Sequence, residues 1–341
     1  MNSSPWFVVG IFLLIFLLAF GSYRLHRRGR LDRYPRAQPI HLVNTDTGRP
    51  TLPSDSDSGR DDLTYRINVH GRERTFTVHI PVSYLSSRRL PVLFVFHGGR
   101  RGSARGIARR AGFNRLADSY GFIVIYPTAY RSNWNDGRGT TDAEREGIDD
   151  IAFVKRIIDE LEGRFATDHK RMYAVGLSNG GMFVNRLGCE LSDQFAGIAF
   201  VVGPMPAPIA RRCEPQKPIS VLGIFGTADP LIPWRGGEVQ GGARGFILGA
   251  EETIELWARN NSCLTHKKTE VLPSQVDDGT VVKRTVYHGC KGGREVVLYS
   301  IEGGGHVWPP ARPTSWRAGK SSQNLDASQV IWSFFASQPP R

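Results

Sequence analysis

The sequence predicts an α/β protein: a mostly parallel, doubly wound sheet with helices on both faces, occupying residues 64–341. Three observations predict it. Short unbroken apolar runs of strand length recur along the chain, as a sheet covered on both faces requires. Stretches with helical apolar periodicity lie between them. Composition is that of an ordinary globular chain, with 40% apolar and 22% charged residues in 341, which excludes wholesale disorder.

Taken in order, the chain opens on Trp6 to Phe20, fifteen residues without a charge. As a helix this segment would extend roughly 22 Å, short of the ~30 Å hydrocarbon core. Residues 1–23 therefore read as a signal peptide or membrane anchor, with Ala19-Phe20-Gly21 offering small residues for cleavage. Residues 24–63 are rich in Arg, Pro, Ser, Asp and Gly and read as a basic, polar linker. Tyr65–Val69 and Thr75–Ile80 alternate about His70-Gly71, the pattern of a hairpin. Strands are expected at Pro91–Phe96, Phe122–Tyr126, Arg171–Leu177, Ala196–Val202, Ile219–Phe225 and Val296–Ile301. Helices are expected at Asp149–Phe165, Glu251–Arg259 and Asp326–Phe335. In the first of these Ile151, Val154, Ile157, Ile158, Leu161 and Phe165 form one stripe.

The net charge of +12 is concentrated in two places. Residues 22–36 hold six Arg against Asp32, and residues 100–115 hold six Arg and no acid. Neither stretch sits beside a helix-turn-helix, zinc-knuckle or aromatic RNA-binding signature, so nucleic acid is not expected as a partner. The first cluster follows the apolar segment, an arrangement that the positive-inside rule assigns to the cytoplasm. The cysteines argue the other way. Cys189, Cys213, Cys263 and Cys290 allow three pairings, of which the two sequential ones close modest loops. Stable disulfides imply an oxidising compartment. The expectation is an extracytoplasmic protein, secreted or periplasmic, released or tethered to the membrane through residues 6–23.

The chemistry gathers at strand ends. Gly176-Leu177-Ser178-Asn179-Gly180 lies between a strand and a helix-compatible stretch, the context of a nucleophile elbow. The flanking glycines let neighbouring backbone pass a sharply turned Ser178. A serine hydroxyl needs a base, and the base an orienting carboxylate. Asp229, in Gly226-Thr227-Ala228-Asp229-Pro230, and His306, after Gly303-Gly304-Gly305, each follow a strand in the chain order Ser, Asp, His. His97-Gly98-Gly99 also follows a strand. The backbone N–H groups of Gly98 and Gly99 would join that of Asn179 to receive an oxyanion. His97 itself reads as a structural hydrogen-bonder rather than a second base.

With these residues assembled, the chain resembles the esterases that include poly(3-hydroxybutyrate) depolymerase-like enzymes and feruloyl esterases of carbohydrate esterase family 1. The resemblance runs from about Tyr65 to Ser337. It rests on His97-Gly98-Gly99, Ser132-Asn133-Trp134, the Gly-Leu-Ser-Asn-Gly-Gly-Met of 176–182, the Gly-Thr-Ala-Asp-Pro of 226–230 and the Gly-Gly-Gly-His-Val-Trp-Pro of 303–309. It implies an α/β-hydrolase fold, a Ser178, Asp229, His306 triad, no cofactor, export, and disulfides Cys189–Cys213 and Cys263–Cys290.

The function so implied is hydrolysis of feruloyl or acetyl esters of plant-wall polysaccharide fragments through an acyl-enzyme. Hydroxyalkanoate oligomers are the alternative substrate. A tethered, non-catalytic binding protein on the same fold is the alternative of another class. Trp134 and Trp308 are expected to give flat walls for an aromatic acyl group or a sugar. The Arg100–Arg115 cluster is expected to attract acidic substrates or release a carboxylate product. No metal is expected, since the chain has neither His-Glu-x-x-His nor a tight His/Asp cluster.

Overall fold

The computed structural model describes residues 62–313 and 315–341, and the backbone of 38–40. The signal or anchor segment 1–23 and nearly all of the linker 24–63 lie outside the described residues. The strands are β1 (Gln38–Ile40), β2 (Leu63–Val69), β3 (Arg72–His79), β4 (Leu90–Phe96), β5 (Ile123–Pro127), β6 (Thr167–Leu177), β7 (Gly197–Val201), β8 (Ser220–Gly226), β9 (Gly237–Glu238), β10 (Phe246–Ile247), β11 (Lys267–Val271), β12 (Val281–Tyr287) and β13 (Val296–Glu302). The helices are α1 (Ala104–Ala111), α2 (Phe113–Tyr120), α3 (Asp142–Arg145), α4 (Asp150–Glu162), α5 (Asn179–Glu190), α6 (Ala207–Ala210), α7 (Ala250–Asn260) and α8 (Ala327–Ser337).

Among the described residues eleven strands form one sheet, in the order β1-β2-β3-β5-β4-β6-β7-β8-β13-β12-β11. From β5 to β13 every pairing is parallel. Antiparallel strands extend both edges. The two regimes follow from sequence pattern. β4 and β8 are buried at every position, as a strand covered on both faces must be. β2 alternates, with Arg66 and Asn68 exposed between buried Tyr65, Ile67 and Val69.

Within β4 the side-chain period of two divides the core. Phe94 and Phe96 face a layer built from Val154 and Ile157 of α4, Phe183 of α5 and Trp257 of α7. Leu93 and Val95 face the opposite layer, with Ile107 of α1, Phe113 of α2 and Phe335 of α8. The chain is therefore wound on both faces.

Two regions depart from the sequence pattern. The arginine-rich stretch contains α1 and α2, whose boundaries lie in small residues rather than apolar rhythm. The Ser103 hydroxyl accepts from the Gly106 N–H at 3.1 Å to start α1. Gly112 (φ 66°) ends α1 and Gly121 (φ 74°) ends α2, in the left-handed conformation that glycine adopts without steric cost. At the far edge β11 is mostly exposed and shows no apolar alternation. Both cysteine pairs are disulfides: Cys189–Cys213 joins the end of α5 to the loop before β8, and Cys263–Cys290 joins the segment after α7 to the turn before β13.

One topological detail places the site. β5 lies on one side of β4 and β6 on the other, so the winding reverses there. A crevice opens at the carboxyl ends of strands where winding reverses. The oxyanion-loop candidate follows β4, and Ser178 follows β6.

Candidate active site

Ser178 joins β6 to α5 with φ 53° and ψ −121°, a strained conformation for a residue bearing a side chain. The glycines around it are required by backbone proximity. A Cβ on Gly176 would sit 2.2 Å from the Gly180 carbonyl oxygen, and one on Gly180 would sit 2.4 Å from that of His97. The turn is thereby pressed against the end of β4, with the serine projecting above the sheet.

The structure brings Ser178, His306 and Asp229 together across 128 and 77 residues of sequence separation. His306 Nε2 lies 3.0 Å from Ser178 Oγ, and Nδ1 lies 2.7 Å from Asp229 Oδ2. A carboxylate only accepts, so the ring proton is on Nδ1 and Nε2 is free to accept from the serine. Asp229 Oδ1 is held separately by the N–H groups of Leu231 (2.8 Å) and Ile232 (2.9 Å). The Asp229 side chain is 2% exposed and that of His306 13%. The His306 loop is fixed by close backbone packing: a Cβ on Gly305 would meet the Ala318 carbonyl at 2.2 Å, and one on Gly226 would meet that of Gly304 at 2.3 Å.

Gly98 and Gly99 run beside the serine. A Cβ on Gly98 would lie 3.5 Å from Ser178 Cβ, and one on Gly99 only 2.8 Å from Asn133 Oδ1. Among the described residues neither glycine N–H has an acceptor. The Asn179 N–H opens α5, where no intrahelical acceptor exists. These three N–H groups lie on the two loops that meet at Ser178, the end of β4 and the start of α5.

His97 anchors this loop. The Ala129 N–H donates to its Nε2 at 3.1 Å, so Nδ1–H donates to the Gly98 carbonyl at 2.7 Å. Burial lowers its pKa to about 4. The imidazole is therefore neutral when folded, and charging it must break the Ala129 bond. In the unfolded chain it titrates at the usual 6.5. Its contribution is full above pH 6.5 and is lost as pH falls towards 4, because the unfolded state then binds the extra proton. We predict that about 3 kcal/mol of stability disappears over this window. Thermal unfolding of wild type and His97→Gln against pH checks it; parallel curves would refute it.

The Asn179 side chain opens a second, buried network. Its Oδ1 accepts from the Trp134 N–H at 2.8 Å, and its Nδ2 donates to Asp136 Oδ2 at 2.6 Å. Asp136 also receives Arg138 Nη2 at 2.8 Å. Arg138 Nη1 in turn donates to the carbonyls of Ala243 (2.8 Å) and Arg244 (3.0 Å). Burial raises the Asp136 pKa, and Arg138 opposes that shift. With every hydrogen-bond partner a donor, the carboxylate form is the one that fits. Asp136→Asn leaves a buried guanidinium uncompensated, and we expect it to cost about 3–5 kcal/mol, read from denaturant midpoints.

The cleft above these groups has a volume of about 890 Å³. The two tryptophans correct the expectation of flat substrate walls. Trp134 is fully buried, stacked on Phe183 at 5.3 Å, with its indole N–H given to the His97 carbonyl at 2.8 Å. Trp308 borders the cleft but is only 1% exposed and donates to Ser328 Oγ at 2.9 Å. Burial of both rings, with their N–H groups satisfied inside, makes them structural supports. The apolar border of the cleft includes partly exposed Leu231, beside Ile107, Met182, Ile232 and Val239, which are themselves at most 5% exposed. These residues lie in helices and loops whose meeting no local sequence signal reports. Among the described residues no group of His, Cys, Asp and Glu is placed to hold a metal ion.

Comparison with known proteins agrees with this architecture. Residues 67–310 match the family model described as "Putative esterase". "Putative esterase NocK" of Nocardia uniformis subsp. tsuyamanensis is 33% identical over 279 residues, covering 78% of this chain and 80% of that protein. "Feruloyl esterase B" of Piromyces equi is 29% identical over 242 residues; the match takes in 69% of this chain but 42% of that longer protein. In fold, the chain is similar to an acetyl xylan esterase from Aspergillus awamori, with a TM-score of 0.52 at 13% identity over 77% of this chain and 94% of that one. With the family match spanning well over half of its length, the chain belongs to the esterase family and is a carboxylesterase.

Proposed function

We propose that this carboxylesterase hydrolyses feruloyl- or acetyl-type esters through an acyl-enzyme on Ser178. The observation that carries the reading is the unbroken relay of Ser178 Oγ, His306 and Asp229 at 3.0 and 2.7 Å, at the floor of a cleft. Ser178 Oγ attacks the ester carbonyl while His306 Nε2 takes its proton. Asp229 holds the ring tautomer and stabilises the imidazolium. The N–H groups of Gly98, Gly99 and Asn179 receive the oxyanion, each such donor being worth about 3 kcal/mol of transition-state stabilisation. The leaving alcohol collects the proton from His306, and water attacks the acyl-enzyme with the same base. The similarity to a feruloyl esterase and the apolar border support an aromatic or short acyl group.

In this reading residues 64–341 are the catalytic domain, and residues 6–23 direct it out of the cytoplasm, cleaved or retained as a tether. The two disulfides support an oxidising compartment. The test is a panel of methyl ferulate, acetylated xylan and 3-hydroxybutyrate oligomers, with Ser178→Ala as control. Turnover of the first or second, lost in the variant, supports the reading. Turnover of the oligomers alone would reassign the substrate, and activity surviving in Ser178→Ala would end the acyl-enzyme mechanism.

A further inference from the structure

The charge around the cleft is of one sign. Arg100, Arg101, Arg110 and Arg317 line it, and the lining contains no Asp or Glu. Among the described residues none of these four arginines has a carboxylate partner. Arg138 also borders the cleft, but its charge is taken by Asp136.

The fold sorts the arginine cluster rather than exposing it evenly. On α1, Ile107 and Arg110 are three residues apart and share the cleft face, whereas Arg105 and Arg109 do not line it. Arg100 leaves the oxyanion loop with φ 62° and crosses to the opposite wall, where a Cβ on Gly242 would meet its Cγ and Cδ at 3.5 Å. Arg317 comes from 217 residues beyond Arg100 and is braced over the Trp316 ring at 5.2 Å. Arg110 Nη1 reaches the Arg312 carbonyl at 3.3 Å, which ties α1 to the segment that carries Arg317.

Four like charges in one concavity repel one another, and low-dielectric walls focus their field into the cleft. Such an arrangement is relieved by an incoming anion, and guanidinium groups match the two-oxygen geometry of carboxylate or phosphate. At the cleft border Leu231, partly exposed, packs on the buried cluster of Met182, Ile232 and Val239. A ligand complementary to both has an apolar part and a separate negative charge.

We propose that the preferred substrates are esters that carry a second, non-reacting anionic group, a carboxylate or a phosphate, held by Arg100, Arg101, Arg110 and Arg317. This rests on the hydrolase reading above and goes beyond it by naming the substrate class.

The experiment compares matched ester pairs on the full chain: p-nitrophenyl valerate with p-nitrophenyl hemiglutarate for charge on the acyl side, and the acetyl esters of methyl glucoside, methyl glucuronide and methyl glucoside 6-phosphate for charge on the alcohol side. The expected result is that kcat/KM favours a charged member by about tenfold or more in dilute buffer. The preference should shrink towards parity near 1 M salt, where screening acts over about 3 Å. In the Arg110→Gln/Arg317→Gln double variant the ratio of charged to neutral kcat/KM should fall by about tenfold. The glucuronide and phosphate arms tell the two anions apart. If neutral esters turn over and every ratio stays near one, the anion subsite is refuted while the hydrolase reading stands. If the arginine changes alter only inhibition by free valerate, the cluster serves the released acid and the proposal also fails. If no ester turns over, both readings fail.

Discussion

Replacing Ser178 with Ala is expected to lower kcat by about four to six orders of magnitude on any ester the enzyme accepts, with little change in KM. The size follows from the relay. Without Oγ, His306 has no proton to take and no acyl-enzyme can form, so only binding and the N–H donors around residue 178 remain. The fold should survive, because alanine has the same Cβ and meets the same positive φ that serine already occupies. The measurements are single-turnover kinetics, an unfolding curve, and labelling by an organophosphonate, which should mark wild type at residue 178 and leave the variant unmarked. A folded Ser178→Ala protein retaining a tenth of wild-type activity would place the nucleophile elsewhere.

Asp229→Asn should cost about 10⁴ in kcat, for a reason visible in its hydrogen bonds. Oδ1 is occupied by the Leu231 and Ile232 N–H groups, and only an oxygen can accept both. The asparagine amide must therefore keep its oxygen there and turn its NH₂ towards His306 Nδ1. That nitrogen then becomes an acceptor, the ring proton moves to Nε2, and the imidazole presents a donor to Ser178 where a base is needed. Steady-state kinetics give the loss. The ¹⁵N shifts of the two ring nitrogens report the tautomer, and an unchanged Nδ1–H in a slow variant would mean that the loss has another origin.

The Ser178 turn was legible because it leaves a chemical trace. Gly176 and Gly180 are needed where backbones approach within a few ångströms, so the spacing itself encodes the strain. Asp229 and His306 were legible by position, since both follow buried β-rich runs that can hardly be anything but central strands. The placement of His97-Gly98-Gly99 at the end of β4 was legible for the same reason. The sequence misled where burial depends on partners far along the chain. Trp134 stands beside the Asn179 network and looks like a substrate contact, but Phe96 and Phe183 enclose it. The helices α1 and α2 are eight residues each and bury mostly small residues (Ala104, Ala111 and Ala117 beside Ile107 and Phe113), a faint stripe in so short a span, although Ser103, Gly112 and Gly121 mark their ends. The edge strand β11 buries almost nothing, so its pairing with β12 is set by the backbone ladder and leaves no apolar signature. Leu231 at the cleft border, with the buried Ile232 and Val239 it packs on, belongs to a long connection whose path only the assembled fold decides.

The Asp136–Arg138 pair has a practical corollary for anyone re-tailoring this enzyme. Because Arg138 grips the carbonyls of Ala243 and Arg244 while Asp136 grips Asn179, the connection from β9 to β10 is not an independent module. A transplanted loop that fails to offer two oxygens at those points would strand a guanidinium and slacken the serine's helix as well. Diversity is better introduced at Gln240–Gly242, leaving the path through 243 and 244 as inherited, so that selectivity can drift without disturbing turnover.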